Sequence, residues 1–343
     1  MGYAGLVART SGGAALQSPR ARAVLAALAA ALAGGVLADC GGGSPTGPSS
    51  PPSAHLDATA PAGAAIVVVS GETSLPVPGA RVTLGGRVHT TDGEGRLVLP
   101  AAVSLPAPLE IDGAGFLLRR TSLREASPAT VALWPGHSPT GLDADSTGWL
   151  VYTSATSHDA PHGGLALHRP SPSARTAHVL PSEELRRDPL ALAAHEEAVR
   201  MLNDVLGDRF AYALAAPPAG GLVFETRLDP KSAHCKDRVR AVTTTSVRGS
   251  EITGGTVTFC SLEAARSFTV AHELGHTFGL QHSAHGADIM YGWFVPHHPA
   301  GFSPREALAM RLMLQREAGN RFPDTDPAAS SSSERRTLVT VCR

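Results

Sequence analysis

The stretch Ala271-His272-Glu273-Leu274-Gly275-His276-Thr277-Phe278-Gly279-Leu280-Gln281-His282-Ser283 constrains this chain more than any other. His272 and His276 are four residues apart, so on a helix their side chains share one face, one turn apart. Both imidazoles then reach a single metal ion at about 2.0–2.1 Å. Phe268, Val270, Ala271, Leu274 and Phe278 surround them with apolar side chains. The helix is therefore buried, and two histidines in it need a partner. Gly279 is placed where a helix stops and the chain turns through a left-handed conformation, which lets His282 swing back as a third ligand. Three protein ligands leave a position open for water, the mark of a catalytic zinc site. Glu273, beside the first ligand, is suited to act as general base on that water.

The pattern H-E-x-x-H-x-x-G-x-x-H resembles the metzincin signature at every fixed position. Ala287-Asp288-Ile289-Met290-Tyr291 resembles the metzincin Met-turn, and its short gap from His282, together with Ser283, resembles matrixins. The resemblance implies a zinc metallopeptidase holding one catalytic Zn2+ on His272, His276 and His282. It further implies Glu273 as catalytic base and Met290 as an apolar floor beneath the ligands. No matrixin-type cysteine switch is recognisable, because Cys235 sits in His234-Cys235-Lys236 without the flanking pattern. His195, His234, His285, His297 and His298 read as surface or rim residues.

Around this motif, residues 149–324 read as an α+β domain of the zincin/metzincin class, with a twisted mixed sheet and an active-site helix. A helix fits Leu190 to Leu206, ended by Gly207. Strands are expected at Trp149–Thr153, Gly164–His168, Phe210–Leu214, Leu222–Thr226, Val239–Ser246 and Gly255–Phe259. The stretch Gly254–Phe259, just before the motif, is the candidate for a cleft-edge strand on which an extended peptide adds. After the Met-turn, Ser303, Pro304 and Glu306 form a capping box that opens a closing helix.

Residues 62–134 have a different character. About seven short strand runs follow one another: Ala65–Val69, Ala80–Leu84, Arg87–Thr90, Arg96–Leu99, Leu109–Ile111, Phe116–Leu118 and Val131–Leu133. Thr91-Asp92-Gly93-Glu94-Gly95 turns one hairpin. This spacing suggests a small all-β sandwich, and the segments Pro76–Val82 and Thr91–Arg96 resemble the carboxypeptidase-regulatory-like sandwich of secreted bacterial proteins. Nothing in it looks catalytic, so it reads as a spacer or adhesion module.

The ends of the chain speak to its compartment. Arg9, Arg20 and Arg22 precede an apolar run from Ala23 to Ala38, the pattern of a secretory signal peptide (residues 1–39), too short for a membrane span. Leu37-Ala38-Asp39-Cys40 resembles a lipoprotein lipobox, making Cys40 the candidate lipidation site, although Asp39 departs from the small residue expected there. Cleavage after Ala33 or Ala38 is the alternative. Residues 40–61 are a Gly/Ser/Pro tether, 135–148 a linker, and 325–343, with its run Ser330 to Ser333, a disordered tail. In the linker, Asp143 to Gly148 weakly resembles a calcium loop but lacks the distal Glu. Of the four cysteines, Cys235 and Cys260 are the natural disulfide pair if Cys40 carries lipid, with free thiols as the alternative. Cys342 is left without a role.

The 343 residues carry 29 Lys+Arg against 30 Asp+Glu with no dense basic stretch, which argues against nucleic acid as a partner. The expectation is an exported chain, secreted or surface-anchored, that hydrolyses proteins or peptides and meets the membrane only through a lipid anchor. The competing readings are an adhesion or binding lipoprotein with a secondary zincin domain, and a zinc amidohydrolase of cell-wall peptide.

Overall fold

A computed structural model describes residues 58–125, 129–136, 166–236, 238–283, 285–293, 299–321, 323–327 and 334–342. The signal-peptide run, Cys40, the tether, the Asp143–Gly148 loop, the strand expected at Trp149–Thr153, and His297 and His298 lie outside the described residues. Mixed α and β structure, with mixed sheets, runs through the rest.

The N-terminal part is all β. Its strands are β1 (Thr59–Ala60), β2 (Ala65–Ser70), β3 (Arg81–Leu84), β4 (Arg87–Thr90), β5 (Arg96–Val98), β6 (Val103–Ser104), β7 (Ala107–Asp112), β8 (Arg119–Leu123) and β9 (Ala129–Leu133). They form sheets of order β5-β2-β9 and β4-β3-β7-β8, and the pair β1-β6. Alternation explains the burial: in β7, Ala107, Leu109 and Ile111 point inward while Pro108 and Asp112 stay exposed. Ile66, Val68, Val82, Leu84, Leu109, Ile111 and Leu133 share one core. The strand expected at Phe116–Leu118 forms instead at Arg119–Leu123. The apolar run misleads there because Arg119 is itself buried, its charge met by Asp324 and Asp326 at 2.6 and 2.8 Å.

The remainder contains β10 (Arg169–Pro170), β11 (Thr176–Pro181), α1 (Glu183–Arg187), α2 (Pro189–Leu206), β12 (Ala211–Ala213), β13 (Leu222–Leu228), β14 (Ala241–Arg248), β15 (Glu251–Phe259), α3 (Leu262–Ala265), α4 (Thr269–Phe278), α5 (Pro304–Leu314) and β16 (Arg335–Cys342). One sheet of order β12-β11-β13-β15-β14-β16 organises them, with β10 added against β15. Strands β11, β12, β13 and β15 run parallel, while β14 is antiparallel to both β15 and β16. Asp188 caps α2 by accepting from the Ala191 amide at 2.9 Å, and Pro189 occupies its first turn.

Three expectations are corrected by this topology. Strand β15 is not an edge, because it is paired on both flanks by β13 and β14. The tail is not wholly disordered: Arg335 to Cys342 pair residue for residue with β14, from Arg248↔Arg335 to Ala241↔Cys342. Thr337, Val339, Thr340 and Val341 are β-branched, and that pleat-compatible composition outweighs the serine run before them. His195 is not a surface residue but fully buried on α2. Its Nδ1 lies 2.7 Å from the Ala191 carbonyl oxygen and its Nε2 2.8 Å from Thr226 Oγ1, so it is a satisfied core histidine joining helix to sheet.

Candidate metal centre

Helix α4 is buried on every side, from Thr269 to Phe278. It stops at Gly279, whose φ of 109° is left-handed and where a Cβ would collide with the His168 carbonyl oxygen. On this helix His272 and His276 are held by the same device. The His272 Nδ1 lies 2.7 Å from the Ile289 carbonyl oxygen, and the His276 Nδ1 lies 2.7 Å from that of Leu280. A carbonyl only accepts, so each Nδ1 carries the proton and each Nε2 presents a lone pair. Burial holds His272 down at about 4; it also holds His276 well below the ordinary imidazole value, helped by its two histidine neighbours. Both rings are thus neutral at pH 7. Their two Nε2 atoms face each other at 3.2 Å with no proton to share, an arrangement that calls for a cation between them.

His282 closes the group after the Gly279 turn, its ring 4.8 Å from that of His276 and 5.2 Å from that of His272. A fourth donor comes from the far end of the chain. Cys342, buried at the end of β16, places its Sγ 3.4 Å from His276 Nε2 and 3.4 Å from His282 Nε2. The donor atoms of His272, His276, His282 and Cys342 all lie within 4.8 Å of one another. This cluster can hold a metal ion.

Glu273 reaches β14 through Thr243 and lies against Cys342 of the cluster. Thr243 Oγ1 donates to its Oε2 at 2.5 Å, while its buried Oε1 has no hydrogen-bond partner. Burial pushes the carboxyl up to about 7, against the opposing Thr243 and Cys342 hydrogen bonds.

Met290 lies beneath the helix, fully buried. It fits there because position 275 is glycine: a Cβ would collide with the Met290 sulfur. The turn carrying Met290 is tied down from several directions. The Ser283 amide donates to the Met290 carbonyl at 2.6 Å. Asp288 accepts from the Ser283 hydroxyl and, at 2.5 Å, from Arg305. Helix α5 carries the capping box read from Ser303 and Glu306, and Glu306 Oε1 also accepts from the Met290 amide at 2.7 Å. One side chain therefore caps a helix and positions the turn under the cluster.

Cys235 and Cys260 form a disulfide, with Cα atoms 5.3 Å apart. It ties the loop before β14 to the strand-helix junction that leads into α4. His234 and His285 are exposed and stand apart from the cluster. Sequence reasoning missed Thr243 and Cys342. For Cys342 the readable signal was a β-branched run ending in a cysteine otherwise without a role.

No family model and no curated protein matches this sequence. Among solved structures the chain is similar to the crystal structure of metalloproteinase-II from Bacteroides fragilis, at 12% identity and a TM-score of 0.28, over 73% of this chain and 85% of that one. Among the described residues, no helix is long and apolar enough to cross a membrane.

Proposed function

We propose that the chain is a zinc-dependent endopeptidase of the metzincin type, with His272, His276 and His282 as metal ligands and Glu273 as the general base. The observation that carries this reading is the pair of unprotonated Nε2 atoms at 3.2 Å, each ring oriented by a carbonyl on its other nitrogen. Four-coordinate zinc with nitrogen ligands at about 2.0–2.1 Å sets those nitrogens about 3.3 Å apart, so the spacing suits that ion. When bound, zinc would polarise a scissile carbonyl and lower the pKa of water toward about 7.

The chain's own residues supply the rest. Thr243 holds one oxygen of Glu273 and leaves Oε1 to accept a proton from the attacking water and return it to the departing amine. The raised carboxyl suits a group that must both take and give a proton near neutrality. Met290 and the buried flank of α4 keep bulk water from the ligands' rear side. Beside His272, Phe268, Thr269, Tyr291 and Trp293 line a small pocket that Cys342 also borders.

The Cys235–Cys260 disulfide supports the reading of an exported protein, since such bonds persist in oxidising compartments. We read the N-terminal strands as a carboxypeptidase-regulatory-like sandwich acting as a spacer or adhesion module, anchored through Cys40 if that residue is lipidated.

The test is zinc content and peptide-library cleavage for the full chain and for Cys342→Ser, each with and without Glu273→Ala. Glu273→Ala keeps about one zinc per chain and loses cleavage, because ligands and base are separate residues. If zinc binds but no form cuts any peptide, the peptidase reading fails, and a cell-wall amide or a binding role takes its place.

A further inference from the structure

We propose that Cys342 is a fourth metal ligand and that the C-terminal strand β16 is a built-in occupant of the substrate groove, closing the site until it is displaced. The proposal rests on the metal site of the preceding reading, though not on its peptidase activity.

Three independent observations converge on it. The first is distance: a tetrahedral zinc with a thiolate at about 2.3 Å and imidazoles at about 2.0–2.1 Å sets sulfur and nitrogen about 3.5 Å apart. Cys342 Sγ lies 3.4 Å from both His276 Nε2 and His282 Nε2. Three ligands with an open position suit catalysis; a fourth protein ligand makes the closed set of a resting site.

The second is the placement of the strand. β16 lies along the outer side of β14 for all eight of its residues, and β14 is the strand whose Thr243 holds Glu273. An extended peptide adding to this sheet would take the same ladder of backbone hydrogen bonds. The Arg240 amide donates to the Cys342 carbonyl at 2.9 Å, so the pairing continues up to the metal cluster. Since β16 runs from Arg335 toward the cluster, it fills the half of the groove that takes residues preceding a cut bond.

The third is how lightly the strand is held. Arg335, Arg336, Thr337 and Val341 are exposed and Leu338, Val339 and Thr340 only half-buried; Cys342 alone is buried. Removing such a strand opens no large cavity in the core. Its hold is the backbone ladder, the packing of Leu338 against the core, the contacts of Arg336 Nη2 with the Gly249 carbonyl at 3.1 Å and His168 Nε2 at 3.5 Å, and the sulfur. With zinc bound, closure would form one bond from the Cys342 sulfur to the metal and release the thiol proton to solvent. Opening would break that bond, return a proton to the thiolate and leave the position to water.

Cobalt replacing zinc in the full-length protein reports the ligand directly. Wild type should show a sulfur-to-cobalt charge-transfer band, and Cys342→Ser should bind one cobalt per chain without it. In parallel, alkylation of the tryptic peptide carrying Cys342, followed by mass spectrometry, should be slow in the zinc protein and fast after chelation. Peptide cleavage should rise about tenfold or more in Cys342→Ser, as for a site closed in at least nine chains of ten. The absence of the band in wild type, its survival in Cys342→Ser, or equal alkylation with and without zinc overturns the proposal. If band and protection behave as expected while no form cleaves peptide, the ligand stands and the peptidase reading alone fails.

Discussion

One oxygen of Glu273 is held by the hydroxyl of Thr243. Thr243→Val removes the donor to Oε2 while keeping the shape of the side chain. A hydrogen bond to a charged group contributes about 1.5–3 kcal/mol, so kcat should fall about tenfold or more, with KM little changed. Steady-state kinetics in the Cys342→Ser background measure this, and an unchanged kcat would remove Thr243 from the account. Gly275→Ala forces a Cβ into the Met290 sulfur, and overpacking of this kind costs about 1–3 kcal/mol in urea unfolding. The ligand set and base were legible because their spacing lies within one helix and the turn after it. Thr243 and Cys342 were not, because their roles exist only once β14 is laid over α4 and β16 over β14. Cys342 meets a histidine 66 positions away, and no local pattern encodes that distance.

Elements were legible where caps and periodicity agreed. The Ser303–Glu306 box starts α5, and Asp188-Pro189 starts α2 one residue before the apolar pattern does. Strand order was not legible: β15 looked like an edge because only the short α3 separates it from α4, yet sheet order places β14 and β16 outside it. Glu306 gives the element scale a pH prediction. Burial, then the nearby Asp288 charge, push its carboxyl up to about 7. At pH below the ordinary carboxyl value of 4.5, folded and unfolded chains both hold this proton, and the group adds no slope. Between 4.5 and about 7 the unfolded chain loses the proton while the folded chain keeps it, so stability from this group falls as pH rises across that window. Glu306→Gln is less stable at low pH, since an amide cannot accept from both the Ser303 and Met290 amides. Its deficit against wild type should narrow as pH rises from 4.5 to 7. Parallel melting curves across that range would contradict the assignment.

At the scale of the molecule, buried charge joins the N-terminal strands to the metal-binding part. Asp324, fully buried, accepts from Arg119 on β8 at 2.6 Å, Arg316 at 2.5 Å and Asn320 at 3.1 Å. Trp134, just after β9, belongs to the larger core and donates from Nε1 to Gln315 at 2.9 Å. Asp324→Ala leaves two buried guanidinium groups short of their counter-charge and should cost about 3–5 kcal/mol in denaturant unfolding. A loss below about 1 kcal/mol would show that the pairs behave as exposed ones. None of this junction could be read from the sequence, since an arginine in β8 and an aspartate about 200 positions later carry no shared pattern.

β16 is the outermost strand of its sheet, and that governs how the protein behaves in solution. A sheet ends somewhere, and its last strand offers unpaired donors and acceptors to any chain that passes. Here the tail serves as that covering. When it lifts away, the eight residues of β14, rich in threonine and valine, become a bare template. Opening the groove and exposing a sticky border are then the same event. A preparation trimmed for maximal turnover should dimerise or precipitate as its concentration rises.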